Sequence, residues 1–149
     1  MDFIVLSSSR GTTFQAILDS LADSSLTARC HGLVSAREDR GCVAKARPAN
    51  LPVTIVTRHK GESREDYDKR LHAAIAALLP AIRPSDHPTI IAAIGWMYIL
   101  SPWFISRWKD RILNVHPSLL PKFPGAKAHD DVLTAGETES GMTIHLMDE

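Results

Sequence analysis

The chain has 149 residues, and its 17 Lys and Arg balance 17 Asp and Glu, leaving no formal net charge at neutral pH. That length suits one domain, which buries roughly 70% of the surface its unfolded chain exposes. The balanced charge excludes an overall field favouring nucleic acid or an anionic membrane, so any phosphate must be gripped locally. The two cysteines, Cys30 and Cys42, lack CxxC spacing and are too few for a disulfide framework, so free thiols are expected. The most apolar run, Thr89 to Ile99, falls short of the about 20 residues a membrane span needs. Met1 to Leu6 has no cationic leader and reads as a strand, which predicts a cytoplasmic protein.

In chain order, Phe3 to Leu6 is a short apolar strand, Ser7 to Thr13 a polar break, and Phe14, Ile17, Leu18 and Leu21 recur at helical spacing. A strand near His31 to Ser35, a helix near Gly41 to Arg47 and a strand at Val53 to Val56 follow. Ser63 and Asp66 form a capping box ahead of an amphipathic helix carrying Tyr67, Leu71, Ile75 and Leu78 and ended by Pro80. Residues 83–88 read as a loop. Thr89 to Ile94 is apolar on both faces, as a central parallel strand is, and Gly95 interrupts it. A helix around Pro102 to Trp108, a strand Ile112 to Val115, a helix near Asp130 to Ala135 and a strand Met142 to Met147 complete the chain. Strands alternating with helices predict an α/β fold: a mostly parallel sheet with helices on both faces.

Two places carry chemistry. Gly11 opens the first helix directly after the first strand, so the N–H groups of Gly11, Thr12 and Thr13 stand at a helix start, an arrangement that binds phosphate. A serine-rich loop that merely caps the helix fits the same residues equally well. Neither GxGxxG nor GxxxxGK[ST] occurs, which argues against a dinucleotide or triphosphate ligand. Asn114 and His116 are two apart where a strand runs into a proline-broken loop, so their side chains project together from its carboxyl end. Taken alone, the pair reads more readily as structural. Its convergence with the Gly11 loop on one sheet edge suits a phosphorylated substrate. Trp96 to Leu100 could line an apolar slot or pack beneath the sheet. His129 and His145 with His116 match no zinc spacing, so no metal is expected.

Ser9-Arg10-Gly11-Thr12-Thr13-Phe14-Gln15-Ala16-Ile17, Gly95 to Ser101, and Asn114-Val115-His116-Pro117-Ser118-Leu119-Leu120-Pro121 followed by Phe123-Pro124-Gly125 resemble, in order, the glycinamide ribonucleotide formyltransferases. The resemblance covers nearly the whole chain and implies that family's Rossmann-like formyltransferase fold. It implies formyl transfer from 10-formyltetrahydrofolate, the co-substrate, to the amine of glycinamide ribonucleotide in purine biosynthesis. Matched residue by residue, Gly11, Thr12 and Thr13 fall in the loop holding the substrate phosphate, and Asn114 and His116 on the catalytic pair. Arg64 matches an arginine near the folate tail, while Met97, Tyr98, Ile99 and Leu100, with Asn114, match the folate slot.

Three departures bear on that resemblance. Serines stand at Ser7 to Ser9 where the family often has glycine, and Tyr98 stands where arginine is frequent. The family also relies on an aspartate beyond the strand represented by Met142 to Met147, past Glu149; Asp148 lies upstream of that position and is not assigned the role. Residues 1–149 are therefore expected to be one formyltransferase domain without the family's carboxyl-terminal part, either a portion of a longer enzyme or a natural short form. The partners implied are glycinamide ribonucleotide and folate, with no nucleic acid or membrane, and the number of subunits stays open. Formyltetrahydrofolate deformylase and a non-catalytic folate or ribonucleotide binding module are the alternatives.

Overall fold

The computed structural model describes residues 1–79, 88–125 and 127–148. Pro80 and most of the expected 83–88 loop lie outside them. The elements follow the expected order: β1 (Asp2–Leu6), α1 (Thr12–Ala22), β2 (Arg29–Ser35), α2 (Gly41–Ala46), β3 (Val53–Ile55) and α3 (Arg64–Leu78). Then come β4 (Ile90–Ala93), α4 (Pro102–Arg107), β5 (Ile112–His116), α5 (Ala128–Thr134) and β6 (Thr143–Leu146). Expected boundaries move by a few residues at most, as helix and strand ends commonly do.

Six strands form one sheet in the order β3-β2-β1-β4-β5-β6. The pairings β1·β2, β1·β4, β2·β3 and β4·β5 are parallel, and β5·β6 is antiparallel. The chain winds outward from β1 to β3, then returns to the other side of β1 through α3 and β4. That reversal makes the carboxyl ends of β1 and β4 a topological switch point, where ligands bind in such sheets.

Period-two alternation explains why the sheet is covered on both faces. In β1, Ile4 and Leu6 join one apolar cluster with Tyr67, Leu71 and Ile75 of α3 and Phe104 of α4. Phe3 and Val5 join the opposite cluster with Phe14 and Leu18 of α1 and Val43 and Ala46 of α2. A strand buried on both sides must be continuously apolar, as Phe3 to Leu6 is. Each fully buried Phe, Leu or Ile here contributes about 1.5–3 kcal/mol relative to exposure. Tyr67 takes part without leaving a polar orphan, because its hydroxyl donates to the Val56 carbonyl at 2.8 Å. Among the described residues no helix is long and apolar enough to cross a membrane.

Candidate active site

The loops after β1 and β4 meet at the switch point, and glycine is required in each. Gly11, the residue before α1, has φ 77°, and a Cβ there would lie 2.8 Å from the Cys42 Cα. Gly95 has φ 65°, and a Cβ would sit 2.6 Å from the Ser9 Cβ. Both positions combine a left-handed backbone with a close approach that only glycine accepts. The Ser8 N–H donates to the Gly95 carbonyl at 3.2 Å and the Cys42 N–H to the Ser9 carbonyl at 3.2 Å, so α2, the Gly11 loop and the β4 loop form one packed unit. The packing of α2 against this loop was not legible in the sequence, since it joins residues more than thirty apart.

No side chain caps α1, which leaves the Thr12 and Thr13 N–H groups without intrahelical acceptors. The Gly11 N–H differs from expectation: it donates to the Ser9 hydroxyl at 3.1 Å, and the Ser9 and Ser7 hydroxyls lie 3.1 Å apart. Ser9 thus supplies a local acceptor for the Gly11 N–H. Thr12 and Thr13 are exposed.

Two strands along, Asn114 and His116 stand on one face at the carboxyl end of β5, which lies about 10 Å from β1 at ordinary strand spacing. Both line a cleft of about 360 Å3 with Ala93, Trp96, Met97, Tyr98 and Ile99. That volume lies within the range of small-molecule sites, roughly 300–1,000 Å3. Met97 and Ile99 are 62% and 73% exposed, unusual for large apolar side chains and fitting for the rim of a binding cleft. Leu100 instead is buried in the core beside Phe104, so only its backbone is left to face a ligand. Arg64 opens α3, is exposed, and does not line the cleft.

Each polar member of the pair is held by a specific partner. His116, 9% exposed, donates from Nε2 to the Phe123 carbonyl at 2.9 Å, which leaves Nδ1 as the nitrogen available for proton exchange. The same carbonyl accepts from the Ser118 hydroxyl at 3.1 Å, and that hydroxyl also donates to the Lys122 carbonyl at 2.8 Å. Thr143 of β6 ties the loop down, donating to the Ser118 carbonyl at 2.8 Å and accepting from the Leu120 N–H at 3.0 Å. Asn114 faces His145 in the β5·β6 register and donates from Nδ2 to His145 Nε2 at 3.1 Å. His145 was expected only as a discounted metal ligand, and its place beside Asn114 was missed. The residues that would have signalled it, Thr143 and His145, alternate along one strand as His116 and Asn114 do along the other. His129 lies on α5, away from the cleft. No group of three or more metal-ligating side chains converges among the described residues.

The sequence model of the formyl transferase family matches residues 1–149. Phosphoribosylglycinamide formyltransferase of Escherichia coli is 33% identical over 147 residues, a match covering 99% of this chain and 66% of that protein. The Mycobacterium tuberculosis protein of the same name is 37% identical, with 97% of this chain and 63% of the relative covered. The trifunctional purine biosynthetic protein adenosine-3 of Chironomus tentans is 34% identical, and the chain spans only 10% of its length. Among solved structures, phosphoribosylglycinamide formyltransferase from Brucella melitensis superposes with a TM-score of 0.83 at 32% identity, covering 97% of this chain and 71% of that one. A switch-point cleft with an asparagine and a histidine on one strand end, in a sheet that superposes on these enzymes, thus accompanies a family match from first residue to last: the chain belongs to the formyl transferase family.

Proposed function

We propose that the cleft takes 10-formyltetrahydrofolate and glycinamide ribonucleotide and transfers the formyl group to the ribonucleotide amine, a step of purine biosynthesis. The observation that carries this reading is the pairing of Asn114 and His116 at the cleft, beside backbone that leaves room for a flat heterocycle. Among the described residues the N–H and C=O groups of residues 96–100 take no backbone partners, as suits a slot that reads ring edges. The Thr12 and Thr13 N–H groups would hold the phosphate, with about 10 Å between β1 and β5 for the ribose and amine. Arg64 would meet the carboxylates of the folate tail.

The chemistry follows from charge development. Attack of the amine on the formyl carbon breaks the carbonyl π bond and puts negative charge on its oxygen. The second N–H of the Asn114 amide, free of His145, donates to that oxygen. His116, protonated at Nδ1 and anchored through Nε2–H, donates to it as well. Collapse re-forms the carbonyl and breaks the carbon–nitrogen bond to folate; His116 passes its Nδ1 proton to the departing nitrogen and takes up the proton the attacking amine gives up. The result is a formamide and tetrahydrofolate. The reading requires the cytoplasmic setting where such small substrates occur, and no metal.

Tetrahydrofolate release by purified protein, with both substrates present, tests the assignment. Turnover should fall about 10²- to 10³-fold in Asn114→Asp, which puts a like charge against the oxyanion, and comparably in His116→Ala. Near-normal turnover in either variant would overturn the mechanism. Tight folate binding by the wild-type protein without turnover would favour a binding module instead.

A further inference from the structure

Among the described residues, the backbone of the cleft segment is held at both ends and takes no backbone partner between them. Its amino end is held by the Ser8 N–H donating to the Gly95 carbonyl at 3.2 Å. Its carboxyl end is held from α3: Asp68, 1% exposed, accepts the Ser101 N–H at 2.6 Å through Oδ2. Asp68 Oδ1 is buried and takes no partner among the described residues. Tyr98 of the segment sits between the rings of Tyr67 and Trp96, at centroid separations of 5.6 and 5.5 Å. The α3 face bearing Tyr67 and Asp68 is therefore what the slot leans on.

We propose that Asp68 is a positioning residue for the folate slot, fixing the backbone of residues 96–100 through its hydrogen bond to Ser101 so that their free N–H and C=O groups are preorganised for a heterocycle. This rests on the folate reading above. A purely structural role as the cap of α4 is already filled: the Ser101 hydroxyl accepts the Phe104 N–H at 3.3 Å. Asp68 instead binds the Ser101 N–H itself, at the join between slot and helix. The carboxylate also carries a cost. Burial pushes its pKa up, only partly opposed by the Ser101 hydrogen bonds and the Arg64 and Arg58 charges. A group whose folded pKa is raised favours folding in its protonated form. An ionised carboxylate accepts a hydrogen bond roughly twice as strong as a neutral acceptor does.

Asp68→Asn and Asp68→Ala, assayed with both substrates varied and by calorimetry with tetrahydrofolate, test this. Asp68→Ala should raise KM for 10-formyltetrahydrofolate and Kd for tetrahydrofolate about tenfold, leaving KM for the ribonucleotide within about twofold. Asp68→Asn, which keeps an acceptor oxygen for Ser101, should show a smaller rise of about threefold with a Tm no lower than wild type at pH 7. If Asp68→Ala does not fold, Asp68→Asn decides alone: raised Kd at unreduced Tm supports positioning, and unchanged Kd overturns it. Equal rises in both KM values would also overturn it, as general loosening. Failure of the wild-type protein to bind tetrahydrofolate would instead sink the folate reading itself.

Discussion

His145 donates from Nδ1 to the Leu146 carbonyl at 3.0 Å, which fixes its neutral tautomer and leaves the Nε2 lone pair to receive the Asn114 amide. A side-chain amide held at one N–H is held in orientation, and under the proposed mechanism the other N–H serves the formyl oxygen. His145→Phe keeps a ring and removes the acceptor. It should lower kcat about tenfold, the value of one neutral hydrogen bond, with KM for the ribonucleotide little changed. Unchanged kcat would show that Asn114 needs no such support. Asn114 and His116 were legible because a two-residue spacing on one strand is a local fact. His145 was not, because its relation to Asn114 spans 31 positions and depends on an antiparallel register that no single strand encodes. The Ser9 hydroxyl on the Gly11 N–H was hidden for a similar reason: composition marks a polar loop, not which donor it satisfies.

At the scale of the element, α3 shows how far a motif specifies its own geometry. The Ser63 hydroxyl accepts the Asp66 N–H at 3.1 Å, as a capping box requires, but it also donates to Asp66 Oδ2 at 2.7 Å. Aspartate is one methylene shorter than the glutamate usual at that position, so it meets the serine hydroxyl rather than the backbone beyond it. The helix start is further clamped by Arg70, which donates to both Glu62 oxygens at 2.7 and 2.8 Å and to the Thr57 carbonyl at 2.7 Å. Hydrogen bonds from Arg70, then from the His59 N–H, hold the Glu62 carboxyl down at about 2. On the far turn, the Trp108 indole donates to His72 Nδ1 at 3.2 Å, and burial followed by the Arg107 charge lowers the His72 pKa. Both folded-state values are depressed, so both contributions are present above the unfolded values and lost as pH falls. Tm should begin to drop below about pH 6.5 as His72 is protonated, then drop further from about 4.5 toward 2 as Glu62 is. In Glu62→Gln the lower stage should shrink; a curve parallel to wild type below pH 4.5 would refute the clamp.

For the whole molecule, the alternation of strands and helices and the two-faced burial were legible because hydrophobic period and turn residues encode them directly. Strand order was not, and neither was the reversed direction of β6, since both depend on which distant segments pair. β6 closes one side of the sheet with no further strand beside it among the described residues. On one face of this edge Met142, Ile144 and Leu146 are 61%, 63% and 48% exposed. An unpaired strand edge with an apolar row invites pairing with another chain. In a protein of residues 1–149 alone, Ile144→Lys, outside the cleft lining, should therefore reduce light scattering at high protein concentration without changing Tm by more than a few degrees; undiminished scattering would place self-association elsewhere. The β5·β6 register also bears on the candidate site. Because β6 supplies His145 to Asn114 and Thr143 to the Ser118 loop, the four parallel pairings by themselves leave the candidate site without these two supports. A slip of one residue would turn His145 to the opposite face and leave a sheet of nearly the same content without the Asn114–His145 contact. The proposed site thus depends on the register of β6 as well as on formation of the sheet.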